Sequence, residues 1–358
     1  KLQRRKTKKV FFADVAVGGD SPISIQSMTN TKTTNVEKTV KQIHRLEKAG
    51  CELIRVAVPD IKSAKKIKDI KERISIPLIA DIHFNYRLAL EAIERGVDGL
   101  RLNPGNIGSK ERVEKVVKKA KIANIPIRVG VNSGSIEKKL LKKYGHPTAD
   151  AMVESALNQI KILEENNFND IIISLKSTDI WMTIKAYKLM AEKRDYPFHI
   201  GITEAGTPKK GVVKSAVGIG SLLTLGLGDT LRVSLTGDPK KEIETSWNIL
   251  ESLDIRQKGI KIISCPTCGR TNIDLTGLVE KVEKRLEGIE LPITVAVMGC
   301  EVNGPGEAKE ADIGIAGGKK QGIIFKKGKK IKTVKEENLL DALMAEIDKI
   351  RSDFNENV

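Results

Sequence analysis

The chain of 358 residues holds only 4 cysteines, 4 histidines and 4% aromatic residues, and each scarcity removes a class of protein. Four cysteines are too few to staple a chain this long, and three fall in its last third, which points to a metal or redox site in a reducing compartment. With few aromatics, and no basic segment that interleaves them, the stacking platform of a single-strand nucleic-acid binder is missing. No apolar run approaches the roughly 20 residues that span a bilayer. The start KLQRRKTKKVFF lacks the apolar core and small-residue cleavage site of a signal peptide, so a soluble cytoplasmic protein is expected, with neither a membrane nor a nucleic acid as partner.

Positive charge, by contrast, is plentiful. The formal net charge is +16, and the lysines recur on helix faces such as IKSAKKIKDIKER and ERVEKVVKKAKIAN, where they read as solvated surface. Such a surface favours anionic substrates and acidic partner proteins.

Between residues 23 and 251, short β-rich apolar runs alternate with longer amphipathic stretches, the rhythm of parallel strands joined by crossover helices. Eight strand cores can be read: 23–28, 52–58, 77–82, 99–103, 126–131, 170–175, 198–203 and 230–235. Glycines 50 and 96 close two of the helices. Eight units in this span predict an α/β chain with an N-terminal TIM (β/α)8 barrel, residues 1–253. The segment before it, VFFADVAVGGDSPISI, reads as a hairpin turning at Gly18-Gly19-Asp20 and plugging the barrel's N-terminal end. A linker around Leu253 to Gly259 leads to a small α+β domain, residues 260–358, that carries three of the cysteines.

Four of the strands carry arginine in nearly the same context: IRV at Arg55, LRL at Arg101, IRV at Arg128 and LRV at Arg232. A guanidinium inside a barrel strand is costly to bury without a partner. Strand alternation sets Arg101 with Asn103, Arg128 with Asn132, and Arg232 with Ser234 on common faces. If those faces look inward near the barrel's C-terminal end, the forks converge on one pocket suited to phosphate oxygens, with Lys176 ending another strand. The plainer alternative is pairing with carboxylates such as Asp81 and Glu204. His83 and His199 stand at strand positions, as ligand-binding groups or as hydrogen-bonded core histidines. Glu204, after the seventh strand, is a candidate proton donor or base.

In the last third, CPTCG offers Cys265 and Cys268 to one centre, and MGCEVNGPGE adds Cys300. A dithiol redox pair and half of a zinc site are both open readings, but no histidine follows His199 and no further cysteine completes a four-sulfur site. Glu307, after a glycine-proline-glycine turn, reads equally as an unusual fourth ligand and as a surface turn residue. A carboxylate there is a weak, displaceable ligand for a soft site. Cys51, in AGCELIRV, reads as a small buried hydrophobe.

The ordered set PISIQSMTNT, LIRVAVPD, LIADIHFN, LRLNPGNIG, IRVGVNSGS, ISLKSTD, HIGITEAGT, LRVSLTGDP, SCPTCGRT and MGCEVNGPGE resembles the 4-hydroxy-3-methylbut-2-enyl diphosphate synthases over essentially the whole length. The resemblance implies an iron-sulfur reductase that opens and dehydrates 2-C-methyl-D-erythritol 2,4-cyclodiphosphate. It also implies a 4Fe-4S cluster on Cys265, Cys268, Cys300 and Glu307, and a diphosphate gripped by Arg55, Arg101, Arg128, Lys176, Arg232 and Ser234. Glu204, His199, Asn103 and Asn132 would surround the reacting carbons. Flavodoxin or ferredoxin would be the electron donor, and a homodimer the assembly, one subunit's cluster domain covering its partner's barrel mouth. Two rivals share parts of this pattern: a non-redox phosphate-binding barrel of the dihydropteroate synthase type with a structural zinc domain, and a basic zinc-ribbon protein.

Overall fold

The computed structural model describes residues 3–300 and 308–356, in two compact units, Lys1–Leu253 and Asp254–Val358. The first opens with a hairpin of β1 (Val10–Phe12) and β2 (Val15–Val17). Its turn is at Ala13 and Asp14, not at Gly18-Gly19-Asp20 as the glycines suggested, because Val10 pairs with Val17 and Phe12 with Val15. That register buries Val10, Phe12 and Val17 together, and burial of the apolar set decides register. Gly18 instead serves the exit, at φ +90, where a side chain would collide with the carbonyl oxygen of Lys8.

The eight expected strands follow: β3 (Ser24–Met28), β4 (Leu53–Ala57), β5 (Leu78–Asp81), β6 (Gly99–Arg101), β7 (Ile127–Asn132), β8 (Ile171–Lys176), β9 (His199–Ile200) and β10 (Thr230–Leu231). All pair in parallel in the order β8-β7-β6-β5-β4-β3-β10-β9, and a bridge from Ile173 to Phe198 joins the two ends, so the expected barrel is borne out. Loops at the C-terminal ends of the strands end in caps: Asn35, Asp60, Asn85, Asp179 and Asp238 each accept a backbone N–H of the helix that follows. At the other end Phe12 packs with Leu53, Ile79 and Ile172, so the hairpin plugs the barrel bottom and leaves the opposite mouth for polar groups.

The second unit is a five-stranded mixed sheet, ordered as it is numbered: β11 (Lys261–Ser264), β12 (Thr294–Met298), β13 (Ile313–Gly317), β14 (Gln321–Lys326) and β15 (Lys329–Lys335). The first three are parallel and the last two antiparallel. Helices Leu275–Leu286 and Leu339–Glu356 cover one face, where Val282, Leu286, Leu343 and Ile347 pack on Val295, Val297 and Ile315. Among the described residues no helix is long and apolar enough to cross a membrane.

Candidate active site

Strand alternation and barrel twist turn the arginines of β4, β6, β7 and the segment after β10 into one cavity of ≈ 130 Å³. Arg55, Arg101, Arg128, Asn132, Lys176, His199, Arg232 and Ser234 all line it, with Asp81, His83, Gly130, Ser174 and Thr203. The register explains the convergence, since Asp81 lies opposite Arg101, Arg101 opposite Arg128, and Asn132 opposite Lys176.

The charges in this cavity do not balance. Asp81 sits 3.8 Å from Arg55, 3.5 Å from Arg101 and 3.6 Å from the exposed ring of His83. Glu242, reaching in from helix Pro239–Ser252, lies 3.5 Å from Arg232 and accepts bonds from Ser27 Oγ and the Leu235 N–H. Five cations (Arg55, Arg101, Arg128, Lys176, Arg232) against two carboxylates (Asp81, Glu242) leave a formal excess of three positive charges. The pairing alternative therefore holds for some arginines and fails for the group. Arg128, 2% exposed, donates instead to the neutral Gln26 Oε1 at 2.6 Å.

Burial, and then repulsion by Arg55 and Arg101, drives Arg128 well below the usual arginine range, and burial followed by Arg128 and Arg232 does the same to Lys176. Arg55 is lowered by burial to about 10, with Asp81 opposing. Burial would raise Asp81, but Arg55, the His83 hydrogen bond and Arg101 together hold it below the ordinary carboxylate range. His199 is 1% exposed with both ring nitrogens unbonded among the described residues, and burial plus the nearby Arg128 and Lys176 push its pKa well below 6.5. It is a neutral imidazole aimed into a cationic chamber. Such a chamber is costly while empty of anions and strongly attractive to a multiply charged phosphate.

Two of the expected residues stand apart from the cavity wall. Asn103 commits its side-chain amide to Gly130, donating to its carbonyl and accepting its N–H, each at 3.0 Å, so it shapes β7 next to the cavity. Glu204 follows β9 in an exposed, left-handed conformation at φ +52, one residue beyond the wall-lining Thr203. Sequence reasoning missed Gln26, Ser174, Thr203 and Glu242. Glu242 gave no usable signal, because PKKEIETSWN reads like any charged helix start.

In the second unit, parallel pairing of β11 with β12 sets Ser264 opposite Val297, so Cys265 and the Gly299-Cys300 segment leave neighbouring strands at the same end. The Gly299 N–H donates to Cys265 Sγ at 3.2 Å, a bond that stabilises a sulfur carrying negative charge. Cys300 is buried, Cys265 half-buried and Cys268 exposed in a turn that Thr271 closes by accepting the Cys268 N–H. The backbone hydrogen bond at Arg270, reinforced by its charge, lowers the Cys268 thiol below its ordinary value. Among the described residues no three cysteine, histidine or carboxylate groups converge on one point, and Glu307 lies outside them. Two sulfurs on adjacent strand ends, a backbone donor on one of them and a third on a nearby turn nonetheless fit the donor chemistry of an iron-sulfur centre. Cys51 is 3% exposed, and burial pushes its thiol up to about 12, so it stays inert.

Comparison with known proteins gives two family matches, the GcpE TIM-barrel domain over residues 7–247 and the GcpE protein C-terminal domain over residues 261–349. A curated relative from Clostridium acetobutylicum is 58% identical over 97% of this chain and 99% of its own, and one from Clostridium perfringens is 58% identical over 98% and 100%. Both are named 4-hydroxy-3-methylbut-2-en-1-yl diphosphate synthase (flavodoxin). Among solved structures, a dihydropteroate synthase from Stenotrophomonas maltophilia aligns over 69% of this chain and 98% of its own at 11% identity and a TM-score of 0.49, a likeness too slight to bear on activity.

Proposed function

Because the chain belongs to the GcpE family, we propose that it makes 4-hydroxy-3-methylbut-2-enyl diphosphate from 2-C-methyl-D-erythritol 2,4-cyclodiphosphate, an oxidoreductase step toward isoprenoid precursors. The step takes in two electrons and one proton, opens the cyclic diphosphate dianion at a carbon-oxygen bond to a diphosphate trianion and releases one water. The observation that carries this reading is the excess of three positive charges around the barrel cavity. Ring opening leaves additional negative charge on the diphosphate, and preorganised guanidinium and ammonium groups stabilise that charge where it develops.

Arg55, Arg101, Arg128, Lys176, Arg232 and Ser234 bind the diphosphate in this reading, while His199 and Asn132 contact the carbon skeleton. Asn103 acts through Gly130, holding the backbone of β7 in place. Glu204 delivers a proton to the departing hydroxyl. Its exposed position leaves its carboxyl accessible to substrate, and its left-handed backbone is the kind of strain that collects at functional loops. Cys265, Cys268 and Cys300, with Glu307, would hold a 4Fe-4S cluster, which when bound supplies the electrons. The donor is flavodoxin, as in the relatives' name, with ferredoxin as the other candidate, and the working assembly is a homodimer.

Oxygen-free protein reconstituted with iron and sulfide, supplied with a chemical reductant and the cyclic diphosphate, should release the linear product. Absence of product, with iron and sulfide fully loaded, would sink the proposal. In the same assay Glu204→Gln should keep its iron content and its affinity for the cyclic diphosphate, yet lose about 100-fold in kcat. Unimpaired turnover would remove Glu204 from the chemistry.

A further inference from the structure

Between Gly318 and Lys335 the chain carries 8 lysines and no carboxylate. They decorate β14 and β15, and β15 is an edge of the C-terminal sheet. Lysine on an edge strand ordinarily blocks pairing with another chain. That account suffices for Lys332, which meets Glu346 at 3.0 Å. It does not extend to the turns on either side of β14, where Lys319, Lys320, Lys326 and Lys327 are exposed and, among the described residues, free of any ion pair. Lys320 and Lys327 also adopt left-handed backbone, at φ +57 and +46, which glycine or asparagine would take with less strain. Lysine therefore stands at two positions where the local backbone favours something else.

The register says which of these lysines lie near the sulfurs. Ser264 is opposite Val297 and Met298 opposite Ala316, so β11, β12 and β13 all end on one side of the sheet, leading into Cys265, Cys300 and Lys319. Gln321 is opposite Lys335, which brings Lys335 to that same side. The turn from Lys326 to Lys329 lies at the far end.

Resting on the function proposed above, we infer that Lys319, Lys320 and Lys335 form the docking surface for an acidic electron-donor protein of the flavodoxin kind. A donor must present its redox group at the cysteine end of the sheet. A cluster of exposed cations there, of which Lys319 and Lys320 are free of any ion pair among the described residues and Lys335 meets Glu337 at 3.8 Å, attracts and orients an acidic surface, acting through encounter rate and register more than through tight binding. The lysines of the Lys326–Lys329 turn carry the same charge at the opposite end of the strands, and they supply a matched control.

The test is titration of the iron-sulfur-loaded protein with oxidised flavodoxin, by calorimetry at low and at physiological salt. Lys319→Glu with Lys320→Asn is compared against Lys329→Glu with Lys327→Asn. Each pair removes the same charge and replaces one left-handed lysine by asparagine, which tolerates that backbone. The first pair should weaken binding roughly tenfold at low salt and flatten its salt dependence, the second less than about twofold. Equal weakening by both would reduce the effect to net charge and overturn the inference, as would no weakening by either. Tighter binding of an oligonucleotide than of flavodoxin at the first turn would overturn it too. Turnover with a small chemical reductant separates the two ideas. Failure of that reaction in the unaltered protein counts against the proposed function, whereas normal turnover with indistinguishable flavodoxin binding by the two variants counts against the docking surface alone.

Discussion

Arg128 lies 2% exposed beside Gln26, with Arg55 and Arg101 as its charged neighbours. Removing one member of a buried ion pair usually costs about 3–5 kcal/mol, because the other charge is left stranded. Arg128→Met strands no charge. Relief of repulsion offsets the lost bond to Gln26, and the substrate-free protein should keep its stability to within about 1–2 kcal/mol. Affinity for the cyclic diphosphate should meanwhile fall by at least about 100-fold. Melting curves with and without ligand separate the two, and a large loss of stability in the free protein would make Arg128 a structural residue. His199 makes a prediction in pH. Its folded pKa is depressed below 6.5, so the unfolded chain binds the proton more readily, and its contribution to stability is present above about pH 6.5 and lost progressively as the pH falls below that value. His199→Gln should flatten the melting temperature between about pH 6.5 and 5. An unchanged slope would mean that other groups carry it.

At the scale of elements, the hairpin of β1 and β2 does for the barrel bottom what ligand-binding loops do for the mouth. Phe12 fills the space beside Gly99, where any side chain would overlap its ring. Phe12→Ala should cost about 3–5 kcal/mol in denaturant unfolding, yet leave kcat and KM unchanged well below the melting temperature. Altered KM would mean that the plug and the mouth are coupled. The hairpin is also where the sequence misled. Gly18-Gly19-Asp20 is a strong turn signal, but Val10, Phe12 and Val17 had to share a buried face, and burial placed the turn at Ala13 and Asp14. The barrel strands were legible because parallel strands buried on both faces read as unbroken apolar runs. The arginines stood out against those runs for the same reason. Their partners did not, since Gln26 hides among small polar residues and Glu242 sits on a helix whose inward face only the packing defines.

For the molecule as a whole, the net charge of +16 is unevenly used: part is solvated helix surface, part lines the barrel cavity, and part crowds the edge of the C-terminal sheet. The cationic cavity belongs to the first unit and the three cysteines to the second, so the proposed reaction requires both, from one subunit or from two. Subunits altered at different units distinguish these cases. An Arg128→Met subunit keeps its sulfurs and loses its phosphate grip, and a Cys300→Ser subunit does the reverse. If each site combines the barrel of one subunit with the sulfurs of its partner, a mixed dimer contains one site with both parts intact and one with both damaged. Random mixing in equal amounts should then restore about a quarter of the unaltered activity from two inactive proteins. If each chain serves its own barrel, every site in the mixed dimer carries one lesion and the mixture stays inactive. Co-expression with two different purification tags, followed by isolation of the mixed species, makes the measurement independent of exchange rate. An inactive mixed dimer that carries the iron of one intact cluster site would exclude a site shared between subunits.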